Sequence, residues 1–163
     1  KYSKQEYQDQ IAVVPQVFNP PWGTVRNYMS KTIGTFSHIR NADKRMDEVS
    51  KKMSLTHLLT RRMKSLTPGE MRWVLLATMI GADSKVLFID EIELHLSKKD
   101  QATLLSILHR KINYDGITLI TSTQNKDLLS RIASVTITLE NGRITSVRSA
   151  AKKKGRYSNR KRK

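Results

Sequence analysis

A run of four apolar residues, Val86–Ile89, ends directly at two acids, Asp90 and Glu91. A short, uninterrupted apolar run is typical of a strand that is buried on both faces, as in a parallel sheet. The C-terminal tips of such strands are where α/β proteins bind their ligands. The pattern therefore predicts an α/β fold with a site at the two carboxylates, and a plain strand end with solvated acids is the alternative.

Further strands and helices alternate along the chain. Ile11–Val14 is an apolar run that stops at a proline, and residues 117–122 predict a third strand of the same kind. Residues 135–140 and 143–147 are β-rich and flank an Asn-Gly pair, the strongest short signal for a hairpin. Apolar periodicity and capping residues predict helices at residues 25–33, 43–53, 55–61, 70–80, 98–111 and 126–132. This alternation favours a mostly parallel central sheet that ends in a C-terminal antiparallel hairpin.

The chain is expected to form one folded domain, residues 1–149, and a basic tail, residues 150–163. Within the domain, residues 19–64 have a polar, interrupted helical pattern and predict a small helical subdomain. The net charge of the chain is +16, and the tail holds eight of the thirty basic residues and no acid. These eight are Lys152, Lys153, Lys154, Arg156, Arg160, Lys161, Arg162 and Lys163. We expect the tail to be disordered unless it binds nucleic acid or an anionic membrane, and a solvated tail without function is the alternative.

Several kinds of site are excluded by the residues that the sequence lacks. The chain has no cysteine, so it has neither disulfides nor thiolate metal sites. Its four histidines are scattered, which argues against a histidine metal centre. No window approaches eighteen consecutive apolar residues and no signal sequence is evident, so we expect a soluble protein without an export signal. The first residue is not methionine, as expected of a processed, truncated or incompletely described product.

Five short segments precede the hairpin in a fixed order. They are Val14-Pro15-Gln16, Leu66-Thr67-Pro68-Gly69-Glu70, Val86-Leu87-Phe88-Ile89-Asp90-Glu91, Leu94-His95-Leu96-Ser97 and Thr121-Ser122-Thr123-Gln124. In this order they resemble the Q-loop, LSGGQ signature, Walker B strand, D-loop and switch segment of ABC-type ATPases. The hairpin residues Glu140-Asn141-Gly142-Arg143-Ile144 are similar to the terminal hairpin of the same domains. The chain thus resembles an ABC transporter nucleotide-binding domain, which implies a partial P-loop NTPase fold for residues 1–149.

The resemblance implies ATP and Mg²⁺ as cofactors and gives roles to residues near the strand tips. Asp90 would bind the metal, and Glu91 would be the catalytic base. Gln16 would contact both the metal and the attacking water and join them to the helical subdomain, and an ordinary polar loop residue is the alternative. Gln124 occupies the slot of the switch histidine, where an amide can donate a hydrogen bond but cannot take a charge. The implied catalytic set is therefore Glu91, Gln124 and Gln16, and the implied metal set is Asp90 and Gln16.

The signature segment is expected to contact a nucleotide that is held by a second subunit. The resemblance assigns this contact to Leu66, Thr67, Pro68, Gly69 and Glu70. The Thr67 hydroxyl and the Gly69 N–H would face the γ-phosphate from a helix N-terminus, whose dipole favours anions. An ordinary helix cap is the alternative for these residues.

Four positions depart from the family pattern, and one element is absent. Pro68 replaces a glycine and removes an N–H donor, Ile92 replaces a proline, Ser97 replaces an acid, and Gln124 replaces the histidine, so hydrolysis is expected to be slow. No two of the seven glycines lie five positions apart, and the sequence therefore contains no Walker A loop to hold phosphates. ATP hydrolysis is expected only if a partner or a missing N-terminal half supplies that loop.

Three functions remain open on the sequence alone. The first is an ATPase subunit that dimerises and energises a membrane transporter, with residues 17–28 facing a transmembrane subunit. About fifty residues separate Gln16 from Leu66, which suits the compact subdomain of transporters. The second is a soluble ABC-type protein that acts on nucleic acid or the ribosome, since residues 92–96 resemble RecF-like ATPases and the tail is basic. The third is a degenerate, non-catalytic structural subunit. For the first function we expect a cytoplasmic, matrix or stromal location, peripheral to a membrane.

Overall fold

The computed structural model describes residues 3–125 and 127–150, which fall into two compact units that divide at residue 126. Nearly all of the basic tail, residues 151–163, lies outside the described residues, so its disorder and its binding remain predictions. The elements in chain order are α1 (Lys4–Gln10), β1 (Ile11–Val14), α2 (Val25–Ile33), α3 (Ala42–Lys52), α4 (Pro68–Gly81), β2 (Val86–Ile89), α5 (Lys98–Tyr114), β3 (Thr118–Thr121), β4 (Val135–Glu140) and β5 (Arg143–Ser149). Within the described residues, no helix combines the length and the apolarity that crossing a membrane requires.

The first unit is organised around a parallel sheet in the order β1-β2-β3. The register places Val13 opposite Phe88, and Phe88 opposite Ile120. Because the three strands are parallel, their C-terminal ends lie at one edge of the sheet. The predicted parallel sheet is confirmed, and the third strand is shorter than the predicted segment 117–122.

The two faces of this sheet differ in exposure. The side chains of one face are each 2% exposed or less, and they are Ala12, Val14, Leu87 and Ile89. On the other face, Val13 and Ile120 are 49% and 48% exposed, and a cleft of about 570 Å³ extends along the strands as far as Asp90. We refer to the second face as the open sheet face, and it comprises Ile11 and Val13 of β1, Val86 and Phe88 of β2, and Thr118 and Ile120 of β3.

α2 and α3 lie within the predicted helical subdomain, and they pack against each other and against α4. Thr24 and Asn41 cap the two helices, because each side chain accepts a hydrogen bond from a backbone N–H of the first turn. Every third or fourth residue is apolar and buried, as an amphipathic helix requires. These buried residues include Val25, Met29, Ile33, Met46 and Val49. The predicted helices at 25–33 and 43–53 are confirmed.

The two ends of the helical subdomain are joined by backbone hydrogen bonds. The Val25 N–H donates to the Arg61 carbonyl at 2.9 Å, and the Met63 N–H donates to the Gly23 carbonyl at 2.9 Å. The subdomain is therefore closed on itself before the chain enters α4.

α4 is the central helix and is buried along most of its length. Its first turn carries a capping box, in which Thr67 and Glu70 bond to each other's backbone N–H. Its other end lies against the helical subdomain at Gly81. A Cβ atom at that position would lie 3.0 Å from Ile33 and 3.2 Å from Val49, so the glycine permits the close approach.

Two predicted helices did not form as helices, and one helix of the structure was not predicted. The predicted helix at 55–61 is absent, and the chain instead forms the short 3-10 turns Thr56–Leu58 and Met63–Ser65. Leu55, Leu58 and Leu59 mimic a helical repeat there, but they are buried as separate anchors of a turn. The predicted helix at 126–132 is replaced by turns over residues 127–132. α1 was not predicted, although its capping box supplies a local signal.

The second unit contains the predicted antiparallel hairpin of β4 and β5. Asn141 and Gly142 both have positive φ, at 50° and 74°, as a two-residue hairpin turn of type I′ requires. The apolar side chains of the hairpin are each more than half exposed, and they are Val135, Ile137, Leu139, Ile144 and Val147.

Candidate functional site

The predicted acids lie where the three parallel strands end. The Asp90 N–H donates to the Val14 carbonyl at 3.1 Å, so the first acid follows β2 beside the last residue of β1. The Ser122 N–H donates to the Ile89 carbonyl at 3.3 Å, which places the residue after β3 on the other side. The segment of residues 90–93 is therefore flanked by the chain that leaves β1 and the chain that leaves β3. We call it the acid loop.

Ser122 is hydrogen-bonded to both acids of the loop. Its hydroxyl donates to Asp90 Oδ1 at 2.6 Å and accepts the Glu91 N–H at 2.7 Å. Its carbonyl accepts the Ile92 N–H at 3.1 Å. Asp90 is exposed and Glu91 is half-buried, so both carboxylates can reach a ligand while their backbone is held. Ser122 had no predicted role of its own, and its position in the switch segment was the only sequence signal for it.

Glu91 has a left-handed backbone conformation, with φ at +45°. Such a conformation is uncommon for a residue with a side chain and persists where surrounding contacts enforce it. Gln124 contacts its carboxylate, because the amide nitrogen lies 3.4 Å from Glu91 Oε1. The structure thus brings together the predicted catalytic pair Glu91 and Gln124.

Arg72 connects the acid loop to the segment that follows β1. Its guanidinium donates to the Pro15 carbonyl at 2.7 Å, to the Glu91 carbonyl at 3.0 Å, and also to the Asp90 carbonyl. Arg72 is 3% exposed, and its burial lowers its pKa, although the charges of the two acids oppose that effect. Gln16, the residue after Pro15, is exposed beside this junction. Sequence reasoning missed Arg72, and its signal was a charge within the otherwise apolar α4.

Glu93 holds the segment that carries Gln124. Its Oε1 accepts the Thr123 hydroxyl at 2.8 Å and the Gln124 N–H at 2.9 Å. Partial burial raises the pKa of Glu93, but the hydrogen bonds from Thr123, Gln124 and Asn125 outweigh it and hold the pKa below its ordinary value. The carboxylate form therefore fits this position.

The signature segment caps the N-terminus of α4, which is the ordinary helix cap that was its alternative role. The Thr67 Oγ1 accepts the Glu70 N–H at 3.3 Å, and the Glu70 carboxylate accepts the Thr67 N–H at 2.8 Å and pairs with Arg61 at 2.6 Å. The Thr67 backbone hydrogen bond is the main cause that lowers the pKa of Glu70. Thr67 and Pro68 are exposed, whereas Leu66 and Gly69 are partly covered. These contacts leave the proposed role toward a second subunit untested.

The D-loop segment lies directly against the signature segment. A Cβ atom on Gly69 would lie 3.0 Å from the His95 carbonyl oxygen, so only glycine allows this approach without a shift. Ser97, which replaces the family acid, caps α5: its Oγ accepts the Asp100 N–H at 3.1 Å. The substitution thus has a structural use.

The carboxylates fit a magnesium ion in their chemistry but do not form a closed metal site. Among the described residues, no group of three or more histidine, aspartate or glutamate side chains could hold a metal. Mg²⁺ needs fewer protein ligands than that, because it commonly uses one or two carboxylates together with water and substrate phosphates. Asp90 and the side-chain oxygen of Gln16 are ligands of this type.

Comparison with known proteins agrees with this geometry. The family model described as ABC transporter matches residues 1–93. The chain is 29% identical over 117 residues to the cell division ATP-binding protein FtsE of Streptococcus pneumoniae, which covers 72% of this chain and 50% of the relative. It is 28% identical over 142 residues to the molybdate import ATP-binding protein MolC of Haemophilus influenzae, covering 83% of this chain and 56% of the relative. The chain therefore spans about half the length of the curated relatives it matches.

The fold is also found in solved structures. A bacterial ABC transporter cassette, solved as a dimer, superposes with a TM-score of 0.78 at 19% identity, covering 91% of this chain and 68% of that one. The same cassette in a post-hydrolysis state with ADP and Pi gives a TM-score of 0.77. At this level of identity the likeness concerns the fold, whereas the family model matches more than half of the sequence. On these grounds, the chain belongs to the ABC transporter family of ATP-binding proteins.

Proposed function

We propose that this chain is the C-terminal part of an ATP-hydrolysing subunit, which works as a dimer and energises a membrane transporter. The observation that carries the proposal is that three segments meet at the strand tips. They are the acid loop, residues 122–125, which we call the Gln124 segment, and the chain beside Gln16. Their order and contacts suit a site in which water is activated next to a phosphate. The proposal includes a cytoplasmic, matrix or stromal location, peripheral to a membrane.

Within this proposal, the residues of the strand tips act on metal and water. Asp90 and Gln16 would hold Mg²⁺, which would supply positive charge opposite the transferred phosphate. Glu91 orients the attacking water and accepts its proton, as a half-buried carboxylate beside a phosphate site can. The Gln124 amide donates a hydrogen bond toward Glu91 and its surroundings.

The described residues do not form a complete ATP site. The sequence has no Walker A loop, so the backbone N–H cluster and lysine that cradle phosphates must come from elsewhere. The open sheet face supports an N-terminal half as the source, because Val13 and Ile120 are about half exposed in a sheet whose other face is buried. Parallel sheets are normally covered on both faces. ATP hydrolysis is proposed only for the assembly that contains this missing half.

The decisive experiment is to restore the missing half. We would fuse to Lys1 the Walker A-containing N-terminal half of the Haemophilus influenzae relative and measure ATP binding and phosphate release. We expect the fusion to hydrolyse ATP, and Glu91→Gln to lower kcat at least a hundredfold while ATP still binds, because only the base is removed. Glu140→Gln, an exposed acid on the hairpin, is the matched control. Equal turnover by the fusion and its Glu91→Gln variant would reject the proposal.

The dimer is proposed from the exposed start of α4. Thr67 and Pro68 are exposed at a helix N-terminus, where a phosphate held by a second subunit can be approached. The Glu91→Gln fusion should therefore dimerise on addition of ATP, as measured by sedimentation velocity. A monomer at saturating ATP would remove the dimer from the proposal.

A transmembrane subunit is proposed to dock on residues 17–28. Val17 and Trp22 are 78% and 84% exposed there, and the Lys64 ammonium lies 3.6 Å from the centre of the Trp22 ring. Large exposed apolar side chains on one loop mark an interaction surface. Trp22→Ser should keep the basal ATPase rate of the fusion and lower its stimulation by a membrane subunit.

Two other functions are supported by specific features. The substitutions Pro68, Ser97 and Gln124 favour a non-catalytic structural subunit, and the Glu91→Gln comparison above separates it from an ATPase. The basic residues of the tail favour a protein that binds nucleic acid, or an anionic membrane. Binding of labelled RNA that weakens steeply with salt, and that is lost without residues 152–163, would support the nucleic-acid function.

A further inference from the structure

Glu93 is the acid of the acid loop that has no role toward metal or water in the proposed function. Its carboxylate lies 2.8 Å from the Thr123 hydroxyl and 2.9 Å from the Gln124 N–H. These partners are 30 and 31 positions away in the chain, so the contacts tie two separate loops together. Hydrogen bonds to a carboxylate are shorter and stronger than those between neutral groups.

The Gln124 segment is anchored to the acid loop at two points. At the first, Ser122 donates to Asp90 and accepts the Glu91 N–H. At the second, Thr123 and Gln124 donate to Glu93. Between these anchors the segment has little freedom, and the Gln124 amide nitrogen lies 3.4 Å from Glu91 Oε1. That distance is near the upper limit for a hydrogen bond, so the orientation of Gln124 depends on its backbone being held.

We propose that Glu93 is a positioning residue, which holds residues 122–125 so that the amide of Gln124 faces the carboxylate of Glu91. A carboxylate suits position 93 because of the hydrogen-bond donors that face it. The Thr123 hydroxyl and the Gln124 N–H converge on one oxygen, and a carboxylate offers acceptors only. A glutamine in its place can keep both bonds through its carbonyl oxygen, but these bonds lose the negative charge, and its NH₂ occupies the buried position of Oε2, which has no hydrogen-bond partner among the described residues. The part of the inference that concerns hydrolysis rests on the proposed function, and the part that concerns structure does not.

The test uses the complete, isotope-labelled chain without nucleotide. In Glu93→Gln we expect the backbone N–H of Gln124 to exchange with solvent about tenfold faster, since its hydrogen bond loses the assistance of a negative charge, which is worth roughly that factor. The side-chain NH₂ resonance of Gln124 should move toward that of a free amide. Glu140→Gln makes the same change of charge on an exposed acid and should leave both signals unchanged.

A second variant protects the test against general destabilisation. Thr123→Val keeps the shape of the side chain and removes its hydroxyl, which donates to Glu93 and accepts the Asn125 N–H at 3.0 Å, so exchange at Gln124 should rise by a smaller factor, about threefold. Unchanged exchange and an unchanged side-chain resonance at Gln124 in both variants would overturn the proposal. An increase spread evenly over the helices and the sheet would also overturn it, because that pattern reports global unfolding.

The Walker A fusion separates this inference from the proposed function. If Glu93 positions Gln124 for hydrolysis, Glu93→Gln lowers kcat about tenfold with little change in KM, because binding residues are untouched. A fusion that hydrolyses ATP equally well with and without Glu93→Gln would overturn the positioning role. A fusion without ATPase activity would reject the proposed function, while the exchange measurements would still decide whether Glu93 holds the segment.

Discussion

Arg72 shows how one buried side chain sets the geometry of the site. Its guanidinium joins the carbonyl of Pro15 to the carbonyls of Asp90 and Glu91, so the loop after β1 and the acid loop share one anchor. Arginine suits this role because its donors form a rigid fork. Its Nε is buried without a hydrogen bond among the described residues. The hydrogen bonds of Arg72 to the three carbonyls therefore leave one of its donors unpaired there.

We expect Arg72→Met to destabilise the chain by about 2 kcal/mol. The methionine fills a similar volume, but it leaves partly buried carbonyl groups without donors, which costs about 1–3 kcal/mol. Urea unfolding followed by circular dichroism measures the change. Arg110→Met, at an exposed position of α5, is the control. An unfolding midpoint for Arg72→Met equal to that of the control would contradict the role of Arg72 as an anchor.

Asp83 provides a pH-dependent contribution to stability. It pairs with Arg45 at 3.3 Å and with the buried Lys111. Partial burial raises the pKa of Asp83, but the hydrogen bond and charge of Lys111 and the charge of Arg45 hold it below its ordinary value of 3.8. A lowered folded-state pKa stabilises the fold above the ordinary pKa, and this stabilisation is lost as the pH falls through the folded-state value.

We therefore expect Asp83→Asn to lower the free energy of unfolding by about 1 kcal/mol at pH 7, where half-exposed pairs contribute little more. The difference from the unchanged chain should shrink as the pH falls below 3.8. Asparagine is chosen because Asp83 has φ at 55°, which asparagine tolerates. Thermal melts at pH 7 and below pH 3.8 measure the difference in stability between Asp83→Asn and the unchanged chain. A difference of the same size at the two pH values would show that the charge of Asp83 is not its cause.

The predictability of the site differs between residues for a physical reason. Asp90 and Glu91 were predicted because the signal, an apolar strand before two acids, lies within six consecutive positions. Arg72 and Glu93 act through contacts with residues 57 and 30 positions away, and no local pattern records such contacts. The resemblance to a known family supplied Gln16 and Gln124, and their roles remain predictions.

At the level of elements, the meeting of α4 with the D-loop segment depends on a single glycine. Gly69 lies in the first turn of α4, and its Cα faces the His95 carbonyl. His95 itself has φ at 57°, so the D-loop segment is already in an uncommon conformation where it passes α4. The two predicted interface segments are thus coupled through a backbone contact.

Gly69→Ala should push the D-loop segment away from α4. The added Cβ would lie 3.0 Å from a backbone oxygen that cannot rotate aside, and overpacking of this kind typically costs about 1–3 kcal/mol. Hydrogen exchange at residues 94–97 should accelerate, while exchange in α2 and α3 stays the same. Protection at 94–97 equal to that of the unchanged chain would show that the contact is loose.

Helices with a long periodic pattern were predicted well, and short helical segments were not. α2, α3, α4 and α5 repeat their apolar positions over several turns, and each was found within a few residues of its predicted bounds. Residues 55–61 and 126–132 cover fewer than two turns of helix. Nucleating a helix is unfavourable, so segments this short follow their tertiary contacts instead.

For the whole molecule, the open sheet face predicts how the isolated chain behaves. Val13 and Ile120 are half exposed and lie on either side of Phe88 in one row across the parallel sheet. The double variant Val13→Thr and Ile120→Thr keeps β-branched side chains in the strands and should lower binding of the dye ANS by about half, with little change in melting temperature. Thr118→Val, on the same face, should raise dye binding. Equal dye binding by the chain and both variants would show that the face is covered.

The connection between β1 and its neighbour has a consequence for how the chain reaches its fold. β1 precedes the helical subdomain and α4, whereas its partner β2 follows both, so this pairing closes a long stretch of chain. The helical subdomain is instead closed by contacts between residues that are less far apart in the sequence, including the hydrogen bonds that join residues 23–25 to residues 61–63. Contacts between distant residues form slowly. During synthesis on the ribosome, Ile11–Val14 therefore stays unpaired until Val86–Ile89 has emerged, at a time when every residue of the helical subdomain is already available to fold.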